Sequence, residues 1–118
     1  MLTVREIVDI LEAQVLTGEE NMDIEIYSGC GADLMSDVMA FVKESVILCT
    51  GLVNPQVIRT AEMMDINVIC FVRGKMPGDA VIELAKEKGM TVLATQHPLF
   101  IACGKLYSAG IVGRGVWN

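Results

Sequence analysis

A chain of 118 residues is the length of one compact domain with a real hydrophobic core, so residues 1–118 are expected to form a single unit. With 53% hydrophobic, 20% charged and only 5% aromatic residues, aliphatic side chains and methionine must build the interior, and surplus apolar surface points to self-association. The net charge of −6 argues against nucleic acid as a partner, because phosphate backbones are bound through their neutralisation by cations.

The chain opens on Met1-Leu2-Thr3-Val4-Arg5-Glu6, which lacks the basic-then-apolar pattern of an export signal. No apolar run approaches membrane-spanning length, so a cytoplasmic protein without a membrane partner is expected. Thr3 and Glu6 have capping-box spacing, and Val4, Ile7, Val8 and Leu11 then fall on one helical face, as for a helix docked on a sheet. Val15-Leu16-Thr17 reads as a short strand closed by Gly18-Glu19-Glu20-Asn21.

From Ile24 the order strand, loop, helix repeats, which predicts an α/β fold: three layers, α/β/α, around a mostly parallel sheet. A strand over Ile24–Ser28 is expected to turn at Gly29-Cys30-Gly31 into a helix capped by Asp33. Strand Val46–Thr50 leads through Gly51 to Asn54-Pro55, an N-cap followed by proline at the first helical position, and helix Pro55–Asp65 presents Val57, Ile58, Ala61 and Met64. The nearly unbroken apolar run in Asn67–Val72 predicts a central strand buried on both faces. After the loop Arg73–Gly78, Asp79 is the expected cap of helix Ala80–Lys88, which Gly89 ends. Thr91–Thr95 is the last core strand, and Gln96-His97-Pro98 starts a final helix reaching about Ser108, with His97 as its N-cap. Leu99, Phe100, Ile101, Leu106 and Tyr107 cover more than one face of that helix, making it a candidate dimer contact. The tail Ile111–Asn118, with Val116 and Trp117, reads either as an edge strand or as a loose end.

In a parallel sheet the loops leaving the carboxyl ends of the strands share one edge, and ligands bind in the crevice there. Candidate ligand-binding residues on those loops are Asp33, Thr50, Gly51, Asn54, Arg73, Lys75, Thr95 and His97. Each loop feeds a helix amino terminus, and Arg73 with Lys75 adds positive charge, which suits a small phosphorylated or carboxylated ligand. Thr50, Asn54, Asp79 and Thr95 are equally the residue types that cap helices and shape turns. There is no dinucleotide fingerprint and no Gly-Lys-Ser/Thr phosphate loop. Cys30, Cys49, Cys70 and Cys103 form no Cys-x-x-Cys pair, and Cys49 and Cys70, which fall inside strand-like runs, read as small buried hydrophobes. Asp33 and Asp37 share a helix face, where the dipole explains them, and no catalytic constellation, cofactor or metal site is legible.

The ordered motifs Asp33-Leu34-Met35-Ser36-Asp37-Val38, Val46-Ile47-Leu48-Cys49-Thr50-Gly51 and Asn54-Pro55-Gln56-Val57-Ile58, with Thr95 ahead of Phe100 and Ala102, resemble the DRTGG domain over nearly the whole chain. Thr50-Gly51 matches the Thr-Gly of the pattern that names the family; Leu52 replaces its second glycine and no arginine follows Asp33. The resemblance implies the fold of the amino-terminal domain of HPr kinase/phosphorylase and, more remotely, of the Mur ligases. It also implies a regulatory, dimer-forming element of the kind found beside CBS domains in regulated pyrophosphatases. Stand-alone relatives are associated with iron hydrogenase systems.

Three functions are therefore carried forward. The first is a non-catalytic homodimeric sensor of a small anionic metabolite or nucleotide. The second is a ligand-free scaffold for a protein partner, such as a hydrogenase or other redox system, using the apolar surface around Met35, Met39, Phe100 and Leu106. The third is a small redox or metal protein using Cys30, Cys103 and His97.

Overall fold

The computed structural model describes residues 1–39 and 45–113. In chain order it contains β1 (Leu2–Thr3), α1 (Val4–Leu11), β2 (Gln14–Thr17), a 3₁₀ turn at Glu19–Asn21, β3 (Glu25–Ile26), β4 (Ser28–Gly31) and α2 (Met35–Met39). There follow β5 (Val46–Thr50), α3 (Pro55–Met63), β6 (Val68–Phe71), α4 (Asp79–Glu87), β7 (Thr91–Ala94) and α5 (Leu99–Ser108). Five strands form one sheet in the order β2-β7-β6-β5-β4, parallel except for β2, which runs antiparallel to β7; β1 and β3 make a separate small ribbon. This is an α/β fold, with β6 at the centre of the sheet as its continuous apolar sequence predicts.

Period-two alternation sorts the strand side chains into two cores. Ile47, Cys49, Val68, Cys70 and Leu93 pack with α1 and α5, through Val4, Ile7, Leu11, Ala102 and Leu106. Val46, Leu48, Ile69, Phe71 and Val92 pack on the other face with Val38, Val57, Ile58, Ala61, Val81 and Ala85 of α2, α3 and α4. Full burial of one such aliphatic side chain is worth roughly 1.5–3 kcal/mol, so both layers are strongly driven.

Local signals were decisive where a side chain had a partner in its own turn. Thr3 caps α1: its hydroxyl accepts from the Glu6 amide at 3.2 Å while Glu6 accepts from the Thr3 amide at 2.9 Å. Asn54 accepts from the Gln56 amide at 3.0 Å, with Pro55 as the first residue of α3.

Several sequence expectations are corrected. Gly29-Cys30-Gly31 is not a turn but the body of β4, and the expected strand over Ile24–Ser28 is split, its first part pairing with β1. The glycines are there for close approach: a Cβ on Gly31 would stand 2.5 Å from Cys103 Sγ, and one on Gly29 would stand 3.1 Å from Ile111. Asp79 is the first residue of α4 and makes no side-chain cap, since Gly78 occupies the cap position; Pro98 takes the place expected of His97 ahead of α5. The Asp33 carboxylate reaches across to β5 instead of capping α2. Val112 forms a parallel bridge with Ser28, giving the tail an edge contact, whereas Gly115, Val116 and Trp117 lie outside the described residues.

Candidate functional site at the strand-end crevice

Because β4 to β7 are parallel, their four following loops meet at one rim of the sheet. Asp33, from the loop after β4, is the first link: one carboxylate oxygen accepts from the Gly51 amide at 2.7 Å and from the Thr50 hydroxyl at 3.2 Å. The Thr50 hydroxyl also accepts from the Leu52 amide at 3.1 Å, which shapes the turn after β5. Asp33 thus occupies two donors that the sequence offered to a ligand.

Arg73 is the second link. Its guanidinium lies over Gly51, where a Cβ would stand 3.3 Å from Nη2 and 3.5 Å from the Asp33 carboxylate. The Arg73 backbone is left-handed at φ 60°, followed by Gly74 at 69°, and the Lys75 amide donates to the Val72 carbonyl at 3.1 Å. Two successive positive φ values are the mark of a mirror-image turn, a conformation that costs a side-chain-bearing residue roughly 1–2 kcal/mol. The neighbouring loop holds it: the Arg73 amide donates to the His97 carbonyl at 2.8 Å and the Gly74 amide to the Thr95 carbonyl at 3.0 Å. Arg73 and Lys75 are exposed, and neither joins an ion pair among the described residues.

Thr95 and His97 form the third link. The buried Thr95 hydroxyl donates to the Leu11 carbonyl at 2.6 Å and accepts from the His97 amide at 3.3 Å. His97 Nε2 lies 3.2 Å from Glu12 Oε1, a partner that sequence reasoning missed because it lies 85 positions away. Gln96, on the same loop, lays its side chain against Gly74. The structure therefore brings Asp33, Thr50, Gly51 and Arg73 into one group, with Thr95 and His97 buttressing it through the Arg73-Gly74 backbone. Asn54 serves α3 as its cap, and the Lys75 side chain makes no hydrogen bond or ion pair within this group.

Of the residues expected at a dimer or protein-partner surface, Phe100 is 84% exposed and Met39 is exposed on α2, whereas Met35 and Leu106 are buried in the protein's own two cores. Among the described residues no group of three or more His, Cys, Asp or Glu side chains is placed to hold a metal ion. His97 Nε2 pairs with Glu12, and no hydrogen bond joins His97 to Cys30 or Cys103 among the described residues. A separate, mainly apolar cavity of about 200 Å³ lies between β4, α5 and Ile111–Gly113. Burial raises the Cys30 thiol above its ordinary pKa, with Cys103 and Asp37 adding to the shift. No described helix is long and apolar enough to cross a membrane.

The profile of the DRTGG domain matches residues 6–106. The chain belongs to the DRTGG domain family. Comparison of this DRTGG domain with curated proteins finds no match. Among solved structures it is similar to the CBS and DRTGG domains of the regulatory region of Clostridium perfringens pyrophosphatase, crystallised in complex with an activator, diadenosine tetraphosphate. The TM-score is 0.74 at 22% identity, over 93% of this chain and 48% of the other. The chain thus spans about half the length of that structure, and the likeness is one of fold.

Proposed function

We propose that this DRTGG domain is a non-catalytic regulatory module that senses a small anionic ligand, a nucleotide or phosphorylated metabolite, at the strand-end crevice. The observation that carries this reading is Arg73: an exposed cation that joins no ion pair among the described residues, held in a strained backbone conformation over Gly51 where four loops converge. A regulatory role is supported by the activator complex of the pyrophosphatase region that shares the fold. Asp33 serves as the anchor that fixes the Gly51 turn, and Arg73, aided by Lys75, supplies charge to the ligand.

Titration calorimetry with ATP, diadenosine tetraphosphate, pyrophosphate and adenosine tests the proposal. At least one phosphorylated ligand should bind while adenosine does not, and Arg73→Ala should weaken binding about tenfold or more, as expected for loss of a charge-assisted hydrogen bond. Equal binding by the wild type and Arg73→Ala, or no binding of any anion, overturns it.

We further propose that the domain forms a homodimer in the cytoplasm through the outer face of α5, which also suits a protein partner. The exposure of Phe100 (84%) and Tyr107 (72%) favours this, because large apolar side chains exposed together mark association surfaces. Sedimentation of the wild type and of Phe100→Glu at micromolar concentration decides it: a dimer abolished by the substitution supports the proposal, and a wild-type monomer sinks it.

A further inference from the structure

Three of the four cysteines lie on one face of the sheet. The parallel register sets Gly31 beside Cys49 and Cys49 beside Cys70, and both cysteines belong to the core shared with α1 and α5. Cys103 descends onto this row from α5, with its Sγ in the space that a Gly31 side chain would fill. Cys103 and Cys49 also line the same cavity, together with Gly31, Leu106, Tyr107 and Ile111. Cys103 is half-buried at that cavity, whereas Cys49 and Cys70 are fully buried. Cys30 borders the cavity from the edge strand, but it packs with the core on the opposite face, as alternation along β4 requires.

We propose that Cys103 and Cys49 are an oxidant-sensitive thiol pair that closes to a disulfide between α5 and the sheet, with hydrogen peroxide, which is small enough for the cavity, as oxidant. Cys103 Sγ loses its proton to solvent and attacks one peroxide oxygen. An S–O bond forms, the O–O bond breaks, and hydroxide leaves as water, giving a sulfenic acid. Cys49 Sγ then attacks the Cys103 sulfur: the S–S bond forms, the S–O bond breaks, and the departing hydroxide takes the Cys49 proton to become a second water. Two thiols are oxidised by two electrons and one peroxide is reduced to two waters. Both thiols are held above their ordinary pKa. For Cys103 the neighbouring Cys49 thiol is the main cause, followed by burial; for Cys49 the Cys103 contact favours ionisation, but Cys70 and burial outweigh it. The reaction is therefore slow at neutral pH and quickens as the pH rises.

The experiment is peroxide treatment of the full chain, followed by thiol titration after denaturation and a non-reducing peptide map. Titratable thiols should fall from four to two, the mass should drop by two hydrogens, and one peptide should join Cys49 to Cys103 within one chain. Cys30→Ser should keep the crosslink and Cys103→Ser should lose it, with circular dichroism verifying that each variant is folded. A Cys30–Cys103 link, a crosslink between chains, or oxidation of Cys103 to sulfinic acid with Cys49 still free overturns the proposal, and the wild-type map alone distinguishes these outcomes.

Discussion

Thr95 donates its hydroxyl to the carbonyl of Leu11 at 2.6 Å, tying the end of the last parallel strand to the end of the first helix. Both residues are buried, so the carbonyl has no water to turn to if the hydroxyl is removed. Thr95→Val should destabilise the protein by about 1–3 kcal/mol in urea unfolding, the usual cost of a buried acceptor left without its donor. Thr91→Val gives a useful contrast: its hydroxyl accepts from the half-buried Asn21 side chain, a donor that solvent can serve, so its loss should be smaller.

Arg73 is separable from the turn that carries it. Glycine adopts the left-handed region without the penalty an arginine bears, so Arg73→Gly should be more stable than Arg73→Ala by about 1 kcal/mol in chemical denaturation. Both variants should lose anion binding alike in calorimetry. If Arg73→Gly is the less stable of the two, the strain assigned to this turn is wrong.

Gly31 and Cys103 should behave as one packing unit. A methyl group on Gly31 would meet Cys103 Sγ at 2.5 Å, so Gly31→Ala should cost about 1–3 kcal/mol by overpacking. Cys103→Ala in the same chain should restore a large part of that loss. A double-mutant cycle with zero coupling would refute the contact.

How far the sequence foretold these relationships depends on where the partner of each residue lies. Thr3 and Asn54 were readable as caps because their hydrogen-bond partners lie two or three residues ahead. Strand Val46–Thr50 was readable to the residue because burial on both faces leaves an unbroken apolar run. The convergence of Asp33, Thr50, Gly51 and Arg73 at one rim followed from parallel topology alone. What was not readable was which polar atom takes which partner. Asp33 looks like a helix cap until the Gly51 amide, 18 positions on, is seen to hold it, and His97 gives no local hint of Glu12. Gly29 and Gly31 carry the local signature of a turn, yet their reason is the approach of Ile111 and Cys103, which only the folded chain supplies.

Acid should act on the first helix through its capping box. Glu6 is held below the ordinary carboxylate pKa of 4.5, first by the Thr3 amide and then by the Thr3 hydroxyl. A carboxyl whose folded pKa is depressed contributes stability that is present above its unfolded pKa and lost as the pH falls through the folded value. Urea midpoints recorded downward from pH 6 should therefore fall less steeply for Glu6→Gln than for the wild type. Parallel curves would show that the box does not contribute.

Alkali should act through the thiols. Cys30 is raised mainly by burial, and Cys49 and Cys103 are raised as well, so the folded chain binds more protons than the unfolded chain above the ordinary thiol pKa of 9.0. Stability is then fully present below pH 9 and declines above it. Iodoacetamide should label Cys30 and Cys103 more slowly than a free peptide cysteine at pH 8, and equal rates would refute the shift.

The seam at the chain's far end has a bearing on solubility. Gly29 donates to the Val112 carbonyl at 3.0 Å and Val112 donates back to Tyr27 at 3.2 Å, so the outer margin of β4 is partly spoken for by the chain itself. At the opposite margin β2 is only four residues long, and its pairing with β7 slips between Val15 and Thr17. One border screened and the other interrupted leave little open backbone on which strands of neighbouring molecules could stack, and a sheet this rich in valine and isoleucine is thereby kept from seeding aggregates.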